Sequence, residues 1–318
     1  KDGTPVNAVF GFTNMLVKLI EDYSQEKLIV IFDAARENFR NKIYPEYKAN
    51  RGETPEDLIP QFELIKKSVK AFSIPQLEIE GYEADDIIAT YTQKAQKLNI
   101  SSLIISSDKD LMQLVNDKVE MLDPMKNKRI GINEVIEKFG VEPNKVTQIQ
   151  ALTGDKIDNI PGVPGIGPKI ALELIKQFGN IDGLIKNVND IKQDKRKKAI
   201  QESEKDIRLS LELVKLDHNV KLPLSIDKII PYSEIKNSTE SINNFLIEQG
   251  FKAIIQRLEK NSFINKNIEQ SIGKKESPTI KYITITQTNQ LDSLLNEIIK
   301  IGICAIDTET DSLDIETA

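Results

Sequence analysis

The sequence of 318 residues contains one cysteine, one histidine and no tryptophan. A lone cysteine, Cys304, cannot form an internal disulfide, which favours a reducing cytoplasm as the location of the protein. One histidine, His218, and one cysteine cannot supply the several nitrogen and sulfur ligands that a zinc cluster needs. Any catalytic metal must therefore be held by carboxylates, which select hard ions such as Mg²⁺ or Mn²⁺.

Long apolar runs are missing as well. No stretch approaches the roughly 20 apolar residues that a membrane span needs, and no secretory signal pattern is present. We therefore expect no membrane partner. The length and the hydrophobic content of 39% are enough for two compact domains and part of a third. A net charge of −6 argues against a uniformly basic nucleic-acid binder, but it permits an acidic site ringed by basic patches.

Helical and strand patterns alternate through the first 140 residues. The runs "KLIVIFD", 27–33, and "SLIISSD", 102–108, are typical of buried parallel strands, and each ends in an acid. Amphipathic helices are predicted over 5–22, from Thr54 and Pro55 to about 72, and over about 83–98. The alternation predicts an α/β domain with a mostly parallel sheet flanked by helices.

From about residue 141 the pattern is helical alone. The stretch "GDKIDNIPGVPGIGPKIALELIKQFG", 154–179, has the glycine-rich turn and apolar helix of a helix-hairpin-helix. Its turn amides can hold a DNA phosphate without reading bases, whereas a plain helical hairpin is the alternative. The candidate DNA-binding residues here are Gly162, Gly165, Gly167 and Lys169. Residues 261–279 are typical of a linker, and beyond them a helix at 288–300 and a strand at 302–306 begin something new.

Carboxylates cluster where these predicted elements meet. Asp33 and Asp108 end strands, Asp110 follows, and "GYEADD", 81–86, opens a helix with Glu83, Asp85 and Asp86. Each acid alone suits helix capping. Six at one sheet rim would repel each other by about 1 kcal/mol per pair 4 Å apart in water, and divalent cations explain that convergence better. Asp155 and Asp158 add a second acidic pair.

These motifs resemble a known family. They are "FDA" at 32–34, "FRNKIYPEYKANR" at 39–51, "GYEADD" at 81–86, "SSDKDLMQLV" at 106–115 and "TGDKIDNIPGVPGIGPKIA" at 153–171. In this order they are similar to the 5′-nuclease domain of bacterial DNA polymerase I, in the flap-endonuclease-like family. The resemblance covers residues 1 to about 260 and implies a PIN-like α/β core at 1–140 with a helix-hairpin-helix subdomain at 141–260.

The resemblance also implies a mechanism and its residues. The family members are two-metal phosphodiesterases that remove flaps and RNA primers at 5′ ends and nicks of DNA, with a K⁺ ion as a further expectation at the helix-hairpin-helix. One implied ligand group is Asp33, Glu83, Asp85, Asp86, Asp108 and Asp110, and the other is Asp155 and Asp158. The basic segment resembles an arch for the 5′ end, where Arg40, Lys48 and Arg51 are implied catalytic cations and Tyr44 a base-stacking residue. A solvated loop is the alternative for that segment.

The ends of the chain carry two further expectations. The family has a strand before residue 1 with another aspartate ligand, so we expect the first strand of the core to be missing. "AIDTETDSLD", 305–314, is similar to the first acidic motif, Asp307 and Glu309, of an adjoining 3′–5′ exonuclease-like domain with an RNase H-like α/β fold, which we expect to start at about 280 and to be cut at 318. The chain is then expected to be a monomeric N-terminal piece of DNA polymerase I. A PIN-type ribonuclease and a non-catalytic duplex-binding module are the alternatives.

Overall fold

Helices and short strands alternate through the first half of the molecule, as the hydrophobic pattern predicts. The computed structural model describes residues 3–34, 37–236, 239–260 and 284–307. The elements of the first half are α1 Asn7–Tyr23, β1 Val30–Ile31, α2 Phe39–Ile43, α3 Ile59–Ala71, β2 Gln76–Leu77, α4 Ala84–Lys97, β3 Ser102–Ile105, β4 Val119–Asp123, β5 Lys128–Ile130 and α5 Ile132–Phe139, with a 3₁₀ helix at Asp110–Leu114. The α/β prediction is confirmed.

The strands form two small sheets rather than the single sheet that the sequence predicts. β1 pairs in parallel with β2, and β3 pairs in parallel with β4. β5, which the sequence analysis missed, pairs antiparallel with β4. A ladder continues only where another strand bonds to an open edge, and no described strand bonds to both sheets.

Helix α4 packs against residues of both sheets. Its buried Ile87 belongs to an apolar cluster with Ile31 of β1, whereas Ala89, two residues on, packs in a cluster with Ile104 of β3 and Met121 of β4. The start of α4 agrees with the prediction, since Glu83 is its N-cap residue. This packing brings the acidic N-terminus of α4 near the ends of β1 and β3.

Helix α3 begins later than predicted. Residues 56–58 form a turn in which the Leu58 N–H donates to the Pro55 carbonyl at 2.9 Å, so Thr54 is not the N-cap residue. The helix starts at Ile59, with Pro60 in its first turn. Proline suits this position because the first helical N–H groups have no intrahelical acceptor. Both Pro55 and Pro60 could start the helix, and in the structure it is Pro60 that lies in the first turn.

The second half is helical, as predicted. It contains α6 Val146–Thr153, α7 Pro168–Phe178, α8 Ile181–Lys186, α9 Asp194–Glu202, α10 Glu204–Val214, α11 Thr239–Gln249 and α12 Lys252–Lys260, with 3₁₀ turns at Pro143–Lys145, Val188–Asp190, Ile226–Lys228 and Tyr232–Glu234. Leu152 of α6, Ile175 of α7 and Ile207 of α10 share one apolar core. That core fixes the loop between α6 and α7, which contains the second acidic pair.

The chain divides into two compact units, Lys1–Lys266 and Asn267–Ala318. In the second unit the predicted helix is present as α13, Thr288–Ile301. The predicted strand at 302–306 is not formed, because an extended segment becomes a strand only when another strand pairs with it, and no described segment does so. The predicted linker, 261–279, lies outside the described residues. No helix in the described part of the chain is long and apolar enough to cross a membrane.

Candidate active site

Three of the predicted acids cap the N-terminus of α4. Glu83 and Asp86 form a capping box, in which the Glu83 N–H donates to Asp86 Oδ2 at 3.2 Å. The Ala84 N–H donates to Asp33 Oδ1 at 2.7 Å. These contacts satisfy helix N–H groups that have no intrahelical acceptor. Capping therefore accounts for part of the acidic cluster.

Asp86 is a buried ion-pair partner rather than an open carboxylate. Its side chain is fully buried. It accepts hydrogen bonds from Arg40 Nη1 at 2.7 Å, from Arg40 Nη2 at 2.8 Å and from the Asp217 N–H at 2.9 Å. Arg40 also donates to the carbonyl oxygens of Leu213 and Lys215, at 2.8 Å and 2.9 Å. Burial alone would lower the pKa of Arg40, but the hydrogen bonds and charge of Asp86 outweigh it and raise the pKa.

This arrangement differs from the expected roles of both residues. With the contact to Glu83 at 3.3 Å, all five N–H donors of Arg40 are used inside the protein. Asp86 has no free oxygen directed at the cleft. We therefore assign both residues to holding α2, α4 and the end of α10 together, and not to contact with a metal or a phosphate.

The remaining acids of this group repel one another. Burial, then the charges of Asp108, Glu83, Asp33 and Asp110, raise the pKa of Asp85 to about 8. Burial and the charge of Asp108 raise the pKa of Asp110 to about 6, although Lys109 opposes this. The structure thus brings Asp33, Glu83, Asp85, Asp108 and Asp110 within electrostatic range of one another, as the sequence predicts.

The second acidic pair, Asp155 and Asp158, lines the same cleft as the first acidic group, and each of the two forms an ion pair with a basic side chain. Lys109 Nζ lies 2.5 Å from Asp155 Oδ2, and Arg51 Nη2 lies 2.7 Å from Asp158 Oδ1. Burial alone would raise the pKa of Asp155, but the hydrogen bonds from Lys109 and from the Ile157 N–H lower it. The Lys109 contact links the end of β3 to the loop after α6, so the two acidic groups are joined at one place.

The basic segment around α2 packs along the same cleft. Lys48 forms an ion pair with Glu83 through its side chain. The backbone N–H of Lys48 donates to the Asp158 carbonyl at 2.9 Å. The buried Tyr47 donates its hydroxyl to Glu83 Oε2 at 3.1 Å, and burial raises the pKa of this tyrosine. Tyr44 does not line the cleft, because it packs on the helical core and donates its hydroxyl to Glu46 at 3.1 Å.

These side chains surround a cleft of about 450 Å³. Its polar lining comprises Arg40, Tyr47, Lys48, Arg51, Glu83, Asp85, Asp108, Lys109, Asp110, Lys138, Gln150, Thr153, Asp155 and Asp158. Among the described residues, no three acidic, histidine or cysteine side chains are already arranged closely enough to hold a metal ion. The cleft is lined by ion pairs and by acidic side chains whose pKa values are raised.

The hairpin turn is formed, but its glycines differ in role. Gly162 is buried, its N–H donates to Ser210 Oγ at 3.0 Å, and a Cβ there would lie 2.4 Å from the Gly154 nitrogen. Its amide is therefore unavailable to a DNA phosphate, contrary to the prediction. Gly165, Gly167 and Lys169 are exposed at the start of α7, where Gly167 is the N-cap residue.

Sequence reasoning missed five polar residues of the cleft: Tyr47, Lys109, Lys138, Gln150 and Thr153. Gln150 of α6 donates to Asp110 Oδ1 at 2.5 Å, Lys109 joins the two acidic groups, and Tyr47 binds Glu83. Lys109 stands between two predicted ligands in "SSDKDL", and that position was the available signal. Nothing local marks Gln150, which is 40 residues from its partner.

Asp307 is exposed and belongs to the second unit, and Glu309 lies outside the described residues.

Comparison with known proteins defines the class of this chain. Two family models match consecutive parts: the N-terminal resolvase-like domain of 5′-3′ exonuclease over residues 1–140, and the C-terminal SAM fold of 5′-3′ exonuclease over residues 141–238. A solved structure of phage T5 5′-exonuclease, described with bound divalent metal ions (zinc), is similar with a TM-score of 0.60 and 28% identity, over 67% of this chain and 82% of that one. The α/β half and the helical half thus correspond to the two domains of one nuclease fold.

Two curated relatives identify the family. The 5′-3′ exonuclease of Aquifex aeolicus is 37% identical over 81% of this chain and 87% of its own length. DNA polymerase I of Rhizobium leguminosarum is 46% identical over 81% of this chain and 26% of its own length. The chain belongs to the 5′-3′ exonuclease family and is a hydrolytic nuclease, as predicted. It spans about a quarter to a third of the relatives named DNA polymerase I.

Proposed function

We propose that this nuclease hydrolyses DNA phosphodiester bonds at 5′ ends, removing displaced flaps and RNA primers at nicks. We further propose that it acts as the N-terminal part of DNA polymerase I, a DNA-directed polymerase of replication and repair. The observation that supports this best is the group of mutually repelling carboxylates around Asp85, opposite Asp155 and Asp158. A monomer in a reducing cytoplasm remains our expectation, the latter because the single cysteine favours it.

The donor set fits divalent metal ions. Asp33, Glu83, Asp85, Asp108 and Asp110 would hold one group of ions, and Asp155 and Asp158 a second. Carboxylate oxygens select Mg²⁺ or Mn²⁺, and a cation relieves the repulsion that raises the pKa of Asp85. Two or more such ions, when bound, supply Lewis acidity for the phosphate and a lowered pKa for water.

The side chains around this group bind and orient the substrate. Lys48 and Arg51 present cations that neutralise the phosphate to be cut, and both stand on the segment that faces the acids. Gln150 donates to Asp110 and fixes the orientation of its carboxylate. Tyr47 does the same for Glu83. Tyr44, packed away from the cleft, remains only a proposed contact to DNA beyond it.

Duplex DNA would bind at the hairpin. Gly165 and Gly167 leave the backbone open to a phosphate, and the first N–H groups of α7 have no intrahelical acceptor. Lys169 adds a charge at the same helix end. A K⁺ ion held at this turn is part of the proposal.

The test is cleavage of three end-labelled substrates with Mg²⁺: flapped DNA, plain duplex DNA and RNA. We expect cleavage of flapped DNA near the junction, and loss of cleavage with retained DNA binding in Asp85→Ala. Selective cleavage of RNA would favour a PIN-type ribonuclease instead. Binding of duplex without any cleavage would favour the non-catalytic module.

A further inference from the structure

Five basic side chains line the cleft, and four of them form ion pairs with carboxylates. Arg40 pairs with Asp86, Lys48 with Glu83, Arg51 with Asp158 and Lys109 with Asp155. Each of these four basic side chains thus has a carboxylate partner. No described carboxylate lies within ion-pair distance of the fifth cation, Lys138.

The fold fixes the helix turn that carries Lys138, whose side chain is exposed. Lys138 lies in the last turn of α5, whose Val135 is buried, and its Nζ is 5.6 Å from the centre of the Phe139 ring. Gly140 ends the helix in the left-handed region, at φ +74°, and a Cβ there would lie 2.5 Å from Leu172 Cδ2 of α7. The end of α5 therefore lies directly against α7, and Pro168 at the start of α7 lines the same cleft.

The surroundings of Lys138 are positive as well as acidic. Burial, then the charges of Lys109 and Lys126, lower the pKa of Lys138, and the charges of Asp110 and Asp108 oppose this. Lys126 stands in the turn between β4 and β5, is mostly exposed and lies 3.8 Å from Asp123 Oδ2. Lys109 and Lys126 each have a carboxylate partner, whereas Lys138 has none among the described residues, so Lys138 is the cation here that a bound anion would neutralise. A lysine at a helix C-terminus also interacts favourably with the helix dipole, and this is the alternative explanation for its position.

We propose that Lys138, with Lys109 and Lys126 beside it, forms a subsite for a backbone phosphate of the DNA strand that runs from the acidic cluster towards the start of α7. The inference rests on the proposed function, since it takes DNA as the ligand. Lys138 does not touch the reacting atoms, so it contributes to affinity and to the position of the strand. It recognises charge and not base sequence.

The experiment measures equilibrium binding of flapped DNA at several KCl concentrations, in EDTA so that no cleavage occurs. We expect Lys138→Met to bind more weakly and to lower the magnitude of the slope of log K against log[KCl] by about 0.9, the value for one phosphate contact. Lys138→Arg should keep the wild-type slope. Lys94→Met, an exposed lysine on α4 that does not line the cleft, is the matched control and should leave the slope unchanged.

The outcomes separate the two proposals. If wild-type protein cuts flapped DNA while Lys138→Met keeps the full slope, the subsite is wrong and the proposed function stands. A lower melting temperature with an unchanged slope would assign Lys138 to the helix dipole alone. If the wild-type protein neither binds nor cuts DNA, the proposed function fails first, and the subsite fails with it.

Discussion

Arg40 and Asp86 form a buried ion pair in which every N–H donor of the arginine and both carboxylate oxygens have hydrogen-bond partners. Each residue supplies part of the partners that the other needs. Removing one partner leaves an uncompensated charge in the interior, which is costly, whereas removing both together costs less. The carbonyl acceptors of Arg40 come from the end of α10, so the pair also joins the α/β half to the helical half.

We expect Arg40→Met to lower the free energy of unfolding by about 3–5 kcal/mol, because it strands the Asp86 carboxylate. Urea unfolding followed by circular dichroism measures this. The double variant Arg40→Met with Asp86→Leu should lose less than Arg40→Met alone. Equal losses in the two proteins would show that the buried charge is not the cause.

Asp85 makes the stability of the protein depend on pH. Its pKa is about 8 in the folded chain and 3.8 in the absence of these neighbours, so the folded state holds the proton more tightly. Its contribution is complete below about pH 4 and is lost as the pH rises through 8. In EDTA, we expect the unfolding free energy to fall from pH 6 to pH 8, and to fall less in Asp85→Asn. Parallel pH profiles for the two proteins would contradict the assignment.

The residues of the site could be predicted only where the signal was local. Acids at strand ends and at the start of α4 are visible in sequence, and the structure brings five of that group of six together. The burial of Asp86 against Arg40 could not be predicted from the sequence, because the two residues are 46 positions apart and both belong to motifs rich in charge. Tyr47 rather than Tyr44 faces the cleft because α2 ends at Ile43 and the chain turns there.

Among the connecting elements, the loop between α6 and α7 depends on a close approach of two glycines. Gly154 and Gly162 both have positive φ. A Cβ on Gly162 would lie 2.4 Å from the Gly154 nitrogen, and a Cβ on Gly154 would lie 2.5 Å from the Ile160 carbonyl oxygen. Gly165, also at positive φ, faces open space. The same residue type thus has two purposes within one loop.

We expect Gly162→Ala to lower the free energy of unfolding by more than about 2 kcal/mol, since backbone strain and a clash with Gly154 add together. Gly165→Ala serves as the control and should cost about 1 kcal/mol, from the strain of a left-handed backbone alone. Thermal unfolding of the two variants measures the difference. Similar losses would mean that the loop moves to accept the methyl group.

The elements themselves were predictable in type more than in extent. Hydrophobic period identified α1, α4 and α13 within a few residues, because each has one clear apolar face. The strands are shorter than their apolar runs, since a strand extends only as far as its partner: β1 pairs over two residues of the seven predicted. β5 was missed because "NKRI" is polar and only its pairing with β4 makes it a strand.

At the scale of the whole molecule, the two nuclease family models match residues 1–238, and Asp307 belongs to the second compact unit, Asn267–Ala318. We expect the double variant Asp307→Ala with Glu309→Ala to cut flapped DNA at the wild-type rate, because both residues lie beyond residue 238, where the match to the nuclease family models ends. Cleavage rates at saturating Mg²⁺ measure this. A large loss of cleavage would show that the second unit contributes to the site.

The contacts of Arg40 and Asp86 bear on how the protein is made. A ribosome produces the acids of the first 110 residues long before Leu213, Lys215 and Asp217, which supply the last hydrogen bonds of that pair. Asp155 and Asp158 also emerge later than the carboxylates they face. A nascent or prematurely ended chain therefore holds most of the acids without the contacts that set them in place. We therefore expect such an incomplete chain to lack the ordered acidic cleft of the complete fold.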